Sequence, residues 1–157
     1  PEVYNTLVDC HIRPVPRIET GLELARQQAV HAMMDLSDGL SKDCRTLAFE
    51  NKLGIVLKFD SLQIPNAMIK LSTELNVPVV EWMLHGGEDY ELLFAASPDF
   101  SSSAITEQVG EGMHCIGRFS SECTGVWLQT DSGIETVRAG SWDHIAKSID
   151  CPDCNSV

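Results

Sequence analysis

The sequence predicts an α+β domain in which helices pack against a mixed β-sheet. Segments with helical spacing and segments with strand character are both present, but they do not alternate as strictly as a parallel α/β sheet requires. The chain has 157 residues, the size of one domain. Its hydrophobic fraction of 43% and charged fraction of 22% are typical of a folded chain with an apolar core.

The first third of the chain is predicted to be mainly helical, with one strand. Two prolines within 13–17 favour an extended connection after the first helix. Ser37 is expected to be the N-cap of a later helix, with Asp38 in its first turn. In order, we predict a helix at 2–10, the connection at 13–17, a helix at 18–28, a buried apolar strand at 30–36 and a helix from 38 to 51.

The remaining segments are predicted to contain most of the strands. The last two strands are joined by Asp-Ser-Gly at 131–133, which is typical of a three-residue hairpin loop with Gly133 in the left-handed conformation. We predict strands at 54–62, 90–96, 114–119, 125–130 and 134–138, and helices at 66–75, around 79–84 and at 98–111.

The charge of the chain excludes several classes of partner. A formal charge of −12, from 23 acidic and 11 basic residues, argues against nucleic acid and against anionic membrane surfaces. Phosphate ligands remain compatible with it if divalent cations lie between them and the acids. The apolar runs are too short to cross a bilayer, which takes about 20 residues. Six scattered cysteines predict reduced thiols and a cytoplasmic protein, and Cys151 with Cys154 supplies only half of a zinc site, in a polar tail.

The segment Met-Asp-Leu-Ser-Asp-Gly-Leu at 34–40 is the first candidate site. Helix capping alone would explain Ser37 and Asp38. It does not explain Asp35, which is placed at the end of a strand expected to be buried, with no Lys or Arg within three residues. Two carboxylates and a hydroxyl are hard oxygen ligands, which Mg²⁺ takes when it also binds phosphates. Both interpretations, capping and metal binding, remain open at this point.

The segment His-Gly-Gly-Glu-Asp-Tyr-Glu-Leu at 85–92 is the second candidate site. Gly86 and Gly87 leave space for a ligand or another backbone next to two acids, Glu88 and Asp89. A plain turn before a strand has a similar composition. The residues alone therefore do not decide between a turn and a binding loop.

Five segments together resemble the C-terminal half of the bacterial thiamine-monophosphate kinases, within the aminoimidazole ribonucleotide synthetase superfamily. The resemblance covers residues from about 10 to 146, with Cys44 and His85 departing from the usual family residues. The segments, in the order and spacing of that family, are Arg-Pro-Val-Pro-Arg at 13–17, the segment at 34–40, Gly-Gly-Glu-Asp-Tyr-Glu-Leu at 86–92, Ile-Gly-Arg at 116–118 and Gly-Ser-Trp-Asp-His at 140–144.

The resemblance implies a kinase that transfers the γ-phosphoryl group of ATP to thiamine monophosphate and forms thiamine diphosphate. It implies that Asp35 and Asp38 bind Mg²⁺, that Ser37 contacts ATP, and that Glu88 and Trp142 bind the substrate. His85 is expected at the surface, although it stands beside the substrate loop and could alter specificity. Arg13 and Arg17 are candidates for phosphate contacts or for a connecting role.

The resemblance also implies a division of labour between domains. Residues 1–17 would be the end of a helix and a linker from an N-terminal domain, 18–148 the C-terminal domain and 149–157 a polar tail. The N-terminal domain of the family supplies most nucleotide contacts and the homodimer interface, so the isolated chain is expected to be inactive. The alternative is a stand-alone, non-catalytic module of the same fold that binds a ligand or a partner protein.

Overall fold

The computed structural model describes residues 2–109 and 112–138. Trp142 and the pair Cys151 and Cys154 lie outside the described residues. The described elements are α1 (Glu2–Ile12), α2 (Ile18–Ala25), β1 (Val30–Leu36), α3 (Leu40–Asn51), β2 (Gly54–Lys58), a 3₁₀ turn (Phe59–Ser61), α4 (Asn66–Leu75), α5 (Val79–His85), β3 (Glu91–Ala96), α6 (Ser103–Val109), β4 (Gly117–Ser120), β5 (Gly125–Thr130) and β6 (Gly133–Thr136). No helix within these ranges is long and apolar enough to cross a membrane.

The described strands form two sheets rather than one. β1 and β3 pair antiparallel, with Asp35 opposite Leu92 and Leu36 opposite Glu91. The other four strands form a sheet in the order β4-β2-β5-β6. In that sheet β2 and β5 are parallel, whereas the β2–β4 and β5–β6 pairs are antiparallel. The predicted α+β class with a mixed sheet is confirmed, and the separate two-stranded sheet was not predicted.

The core lies where α3 packs on the four-stranded sheet. Strand β2 is central, and its residues from Gly54 to Leu57 are all buried. The strand predicted at 54–62 is confirmed but ends at Lys58, and it is buried because β2 has a strand on each side and a helix on its face. The buried apolar cluster comprises Leu40, Cys44, Ala48, Ile55, Leu57, Leu62, Leu84, Leu93, Val126, Leu128 and Val137.

Strand β1 is exposed at alternate positions instead of being buried throughout. His31, Met33 and Asp35 are exposed, and the residues between them are half-buried. The reason is that β1 belongs to a two-stranded sheet with one outer face. Part of that face lies under α2, where a Cβ added to Gly21 would stand 3.5 Å from Leu92 Cδ1 and 3.9 Å from Met33 Cε. The prediction that Asp35 ends a buried strand is wrong, and its carboxylate does not require a cation to offset burial.

Helix α3 begins later than the sequence suggested. Its first residue is Leu40 and its N-cap position is Gly39, with no side-chain capping hydrogen bond. The predicted capping role of Ser37 is wrong, and Asp38 lies before the helix rather than in its first turn. The reason is the φ of +100° at Gly39, which no helical residue adopts and which delays the helix.

The chain turns sharply between β5 and β6. Thr130 pairs with Gly133, so the loop contains two residues, Asp131 and Ser132, rather than the predicted three. The predicted positive φ at Gly133 is confirmed at 137°. Other predicted segments differ mainly at their ends, as in α2, which ends at Ala25, and α6, which begins at Ser103.

Candidate functional site

The two candidate segments lie against each other at one end of the β1–β3 sheet. The backbone N–H of Glu88 donates to the carbonyl oxygen of Ser37 at 2.9 Å, and that of Tyr90 donates to the carbonyl oxygen of Leu36 at 2.8 Å. Because β1 and β3 are antiparallel, the loop that follows β1 and the loop that precedes β3 share this edge. We call residues 35–39 the aspartate loop and residues 86–90 the glycine-glutamate loop. The fold brings together the residues that the two motifs singled out.

Close backbone contact between the loops requires glycine. A Cβ added to Gly39 would stand 2.9 Å from the carbonyl oxygen of Gly86, and Gly39 has a φ of +100°. An L-residue would be unfavourable there on both counts. The glycine of the first motif thus serves contact between the loops as well as the turn into α3.

Two residues of the glycine-glutamate loop have unusual backbone conformations. Glu88 has a φ of 69° and Tyr90 a φ of 52°, both in the left-handed region that non-glycine residues seldom occupy. Each such residue costs on the order of 1 kcal/mol. The two backbone hydrogen bonds to Ser37 and Leu36 hold these conformations in place. Strained residues held in this way concentrate at binding sites.

Asp43 is a buried carboxylate behind the aspartate loop, and the sequence motifs did not single it out. It is 3% exposed, and its Oδ2 accepts the backbone N–H of Asp38 at 3.3 Å. Burial raises the pKa of Asp43, and the charges of Asp38 and Asp35 raise it further, against the lowering effect of backbone hydrogen bonds from Asp38 and Ser37. In the sequence, only its position beside Cys44, on the inner side of α3, indicated that Asp43 points into the interior.

Asp89 shares this acidic environment. Desolvation is the largest cause that raises the pKa of Asp89, followed by the charge of Glu91, and Asp43 adds a smaller contribution. His11, at the end of α1, lowers the same pKa. The Nε2 atom of His11 also lies 3.9 Å from Oε2 of Glu88. The end of α1 therefore contributes a basic group to the site, which no motif predicted.

His85 connects two helices instead of lying free at the surface. Its Nδ1 lies 2.8 Å from Oγ of Ser41, which is fully buried at the start of α3. The His85 side chain is 22% exposed, so the prediction of a surface histidine is wrong. This contact joins the end of α5 to α3 directly beside Gly86.

Arg17 binds Glu91 at the edge of the site. Its Nε and Nη2 atoms donate to the two carboxylate oxygens of Glu91 at 2.9 and 2.7 Å. This two-point geometry ties the Arg-Pro-Val-Pro-Arg connection to the start of β3. Of the two roles considered for Arg17, the connecting role has structural support.

A cavity of about 460 Å³ adjoins both loops. Asp35 from the aspartate loop and Tyr90 from the glycine-glutamate loop line it, and the rest of its wall is mostly apolar. Cavities of this size accommodate small organic ligands. The remaining lining residues are Pro14, Pro16, Arg17, Ile18, Gly21 and Leu92.

Asp35 and Asp38, the candidate metal ligands, could supply only part of the coordination shell of a metal ion. Asp35 is exposed, and the carboxylate of Asp38 pairs with Lys42 Nζ at 2.9 Å. Within residues 2–109 and 112–138, no group of three His, Cys, Asp or Glu side chains is close enough to hold a metal ion. Mg²⁺ usually takes one or two protein carboxylates and completes its shell with water and phosphate oxygens. Asp35 and Asp38 fit that role and could not form a complete protein site.

Comparison with known proteins places this fold and these loops in a family. The sequence model described as "AIR synthase related protein, C-terminal domain" matches residues 5–122. The chain belongs to this family. The predicted superfamily, and with it the fold, is confirmed.

Within the AIR synthase related family, the chain is similar to thiamine-monophosphate kinases. It is 32% identical over 143 residues to that of Salmonella typhimurium (strain LT2), covering 89% of this chain and 42% of the relative. It is 29% identical over 123 residues to that of Rhodopirellula baltica, covering 78% and 39%. The chain thus spans about two fifths of the length of these relatives. The resemblance stated from the motifs is confirmed.

Solved structures also resemble this chain in fold. AaThiL complexed with AMPPCP and TMP superposes with a TM-score of 0.73 at 28% identity, covering 92% of this chain and 43% of that one. The thiamine-monophosphate kinase of Stenotrophomonas maltophilia K279a gives a TM-score of 0.72 at 31% identity, covering 81% and 39%. Escherichia coli HypE, at 18% identity and a TM-score of 0.62, shares the fold alone.

Proposed function

We propose that this chain is the C-terminal domain of an ATP-dependent kinase that phosphorylates thiamine monophosphate to thiamine diphosphate. The observation that carries the proposal is the contact between the aspartate loop and the glycine-glutamate loop, through the hydrogen bond from Glu88 to Ser37. A kinase must place a nucleotide and an acceptor side by side. Two loops of different predicted roles lie side by side at one edge, as that task requires.

The aspartate loop would serve the nucleotide. Asp35 and Asp38 would hold Mg²⁺, which neutralises charge on the phosphates when it is bound. The hydroxyl of Ser37 would contact ATP, and the exposed position of Asp35 suits a ligand that arrives from solvent. The relative complexed with AMPPCP, an ATP analogue, supports a nucleotide in this family.

The glycine-glutamate loop would serve thiamine monophosphate. The carboxylate of Glu88 is partly exposed and can accept hydrogen bonds from the aminopyrimidine ring of thiamine. The absence of side chains at Gly86 and Gly87 leaves room beside it. Trp142, outside the described residues, would stack on one of the thiamine rings. We assign no general base, because phosphoryl transfer depends chiefly on positioning and charge neutralisation.

The 157-residue chain by itself is expected to have no measurable kinase activity. It corresponds to about two fifths of the curated relatives, and the remaining part would supply most nucleotide contacts and the dimer interface. The complete gene product should convert thiamine monophosphate in the presence of ATP and Mg²⁺. Binding of thiamine monophosphate without turnover by the complete product would favour a non-catalytic module instead.

The variant Glu88→Gln in the complete gene product tests the role of the glycine-glutamate loop. Gln keeps an acceptor oxygen but loses the charge, and a hydrogen bond to a charged group contributes about 1–1.5 kcal/mol more than a neutral one. KM for thiamine monophosphate should therefore rise by roughly 5- to 12-fold. KM for ATP should remain unchanged. Glu122→Gln removes an exposed acid between β4 and β5 and is the matched control. An equal rise in both KM values, or none, would remove Glu88 from the substrate site.

A further inference from the structure

We propose that Asp43 is a positioning residue that holds the aspartate loop in the conformation its ligands need. Its carboxylate lies in the interior at 3% exposure and accepts a hydrogen bond from the backbone N–H of Asp38 at 3.3 Å. The backbone of Ser37 also acts on this carboxylate and lowers the pKa of Asp43. The hydrogen bond from Asp38 does not belong to regular secondary structure. The carboxylate therefore provides the hydrogen-bond acceptor that this loop, which is not helical, lacks.

The local geometry explains why a side chain is needed there. Helix α3 begins only at Leu40, after Gly39 with its φ of +100°. The N–H groups of Ser37 and Asp38 lie before the helix and therefore have no helical carbonyl to donate to. In a capping box, an acid at the third helical residue reaches back to the N-cap N–H. Asp43 is the fourth residue of α3 and reaches further back, to residues that precede the N-cap. It thereby fixes the backbone from which the side chains of Ser37 and Asp38 project.

Burying a carboxylate without a hydrogen-bond partner costs free energy. The hydrogen bond to the aspartate loop offsets that cost for Asp43. Its position on α3 also ties the loop to the core, because Cys44 beside it belongs to the buried cluster. The consequence for metal and nucleotide rests on the function proposed above. The hydrogen bonds themselves do not, so the two can be tested separately.

Amide hydrogen exchange of the ¹⁵N-labelled chain tests the positioning role directly. In the wild type, the Ser37 and Asp38 amides should exchange at least tenfold more slowly than the amide of exposed Ser121, which lies at a bend between β4 and β5. Asp43→Asn keeps the shape but turns one acceptor into a donor, so protection at one or both amides should fall at least tenfold relative to that of Ile55 in β2. Wild-type amides that exchange as fast as Ser121 would overturn the proposal without any variant.

Two control variants separate positioning from stability and from charge. Cys44→Ala removes a buried neighbour on the same helix and should lower global stability, while leaving the protection of Ser37 and Asp38 relative to Ile55 unchanged. Glu50→Gln removes an exposed acid of α3 and should change neither. If Cys44→Ala reduces the protection of Ser37 and Asp38 relative to Ile55 as much as Asp43→Asn does, Asp43 stabilises the fold in general and has no specific positioning role.

Line broadening by Mn²⁺ tests the consequence for the site. Mn²⁺ should broaden the amide resonances of residues 35–38 in the wild type, and Asp43→Asn should need at least fivefold more Mn²⁺ for the same broadening. Glu50→Gln should behave as the wild type. If Mn²⁺ leaves 35–38 sharp in the wild type, the metal role of the aspartate loop fails, and the exchange result still decides the role of Asp43. Equal broadening in the wild type and Asp43→Asn would overturn the positioning role.

Discussion

The backbone N–H of Glu88 donates to the carbonyl oxygen of Ser37 at 2.9 Å, which joins two loops that are far apart in the sequence. The neighbouring bond from Tyr90 to Leu36 continues the β1–β3 ladder into these loops. A hydrogen-bonded backbone limits the relative movement of the side chains on either side of it. A change in one loop should therefore affect the position of the other.

Gly39→Ala should destabilise the chain and disturb both loops. A φ of +100° is unfavourable for alanine by roughly 1–3 kcal/mol, and the added Cβ would stand 2.9 Å from the Gly86 carbonyl oxygen. Gly133→Ala is the matched control, since its φ is +137° and nothing lies within 4 Å of the added Cβ. Urea denaturation should therefore give a larger loss of unfolding free energy for Gly39→Ala. Equal losses would mean that the loop contact is unimportant.

Asp38→Asn should keep the fold and lower kcat of the complete gene product, with partial rescue by raised Mg²⁺. Under the proposed magnesium role, loss of one metal ligand removes several kcal/mol of transition-state stabilisation. The ion pair with Lys42 is exposed, so its loss should change stability by only about 0.3–0.5 kcal/mol. Lys42→Met is the control, because it removes the same ion pair and keeps the carboxylate. If both variants lower kcat equally, the ion pair matters rather than the oxygen ligand.

If Trp142 stacks on thiamine as proposed, Trp142→Ala should weaken binding of thiamine monophosphate by roughly 1–2 kcal/mol, about five- to thirtyfold, because the indole–cation contact is lost. KM for ATP and the melting temperature of the complete gene product should stay nearly unchanged. A tryptophan in the core would instead lose roughly 3–5 kcal/mol of stability. Thermal unfolding, measured beside both KM values, distinguishes these cases. A large fall in Tm with unaltered KM would assign Trp142 to packing.

Cys44 should resist alkylation under conditions in which other cysteines react. Burial raises the pKa of the Cys44 thiol to about 12, and only the thiolate is the effective nucleophile. Cys10 and Cys115 are exposed and provide internal comparisons. After treatment with iodoacetamide at pH 8, peptide mapping should show both modified before Cys44, and urea should abolish the difference. Early modification of Cys44 in the folded chain would mean that α3 does not pack on the sheet as described.

The sequence by itself determined the fold class, the order of most elements and the two motifs. These depend on short-range signals, such as apolar spacing along a helix and the placement of proline and glycine. The helix at Asn66–Leu75, for example, has the bounds predicted from spacing alone. The motifs also gave the family, because the residue types at 34–40 and 86–92 are specific in their order.

Only the tertiary structure decided which residues share an environment. The exposure of Asp35 depends on β1 forming a two-stranded sheet with β3, and no property of residues 30–36 specifies that partner. Ser37 is a residue type that favours the N-cap position, yet the helix begins at Leu40, because Gly39 adopts a conformation that allows contact with Gly86. Asp43 and His85 acquire their roles through contacts made across the fold. Such contacts depend on the packing of α3 and α5, which local sequence does not encode.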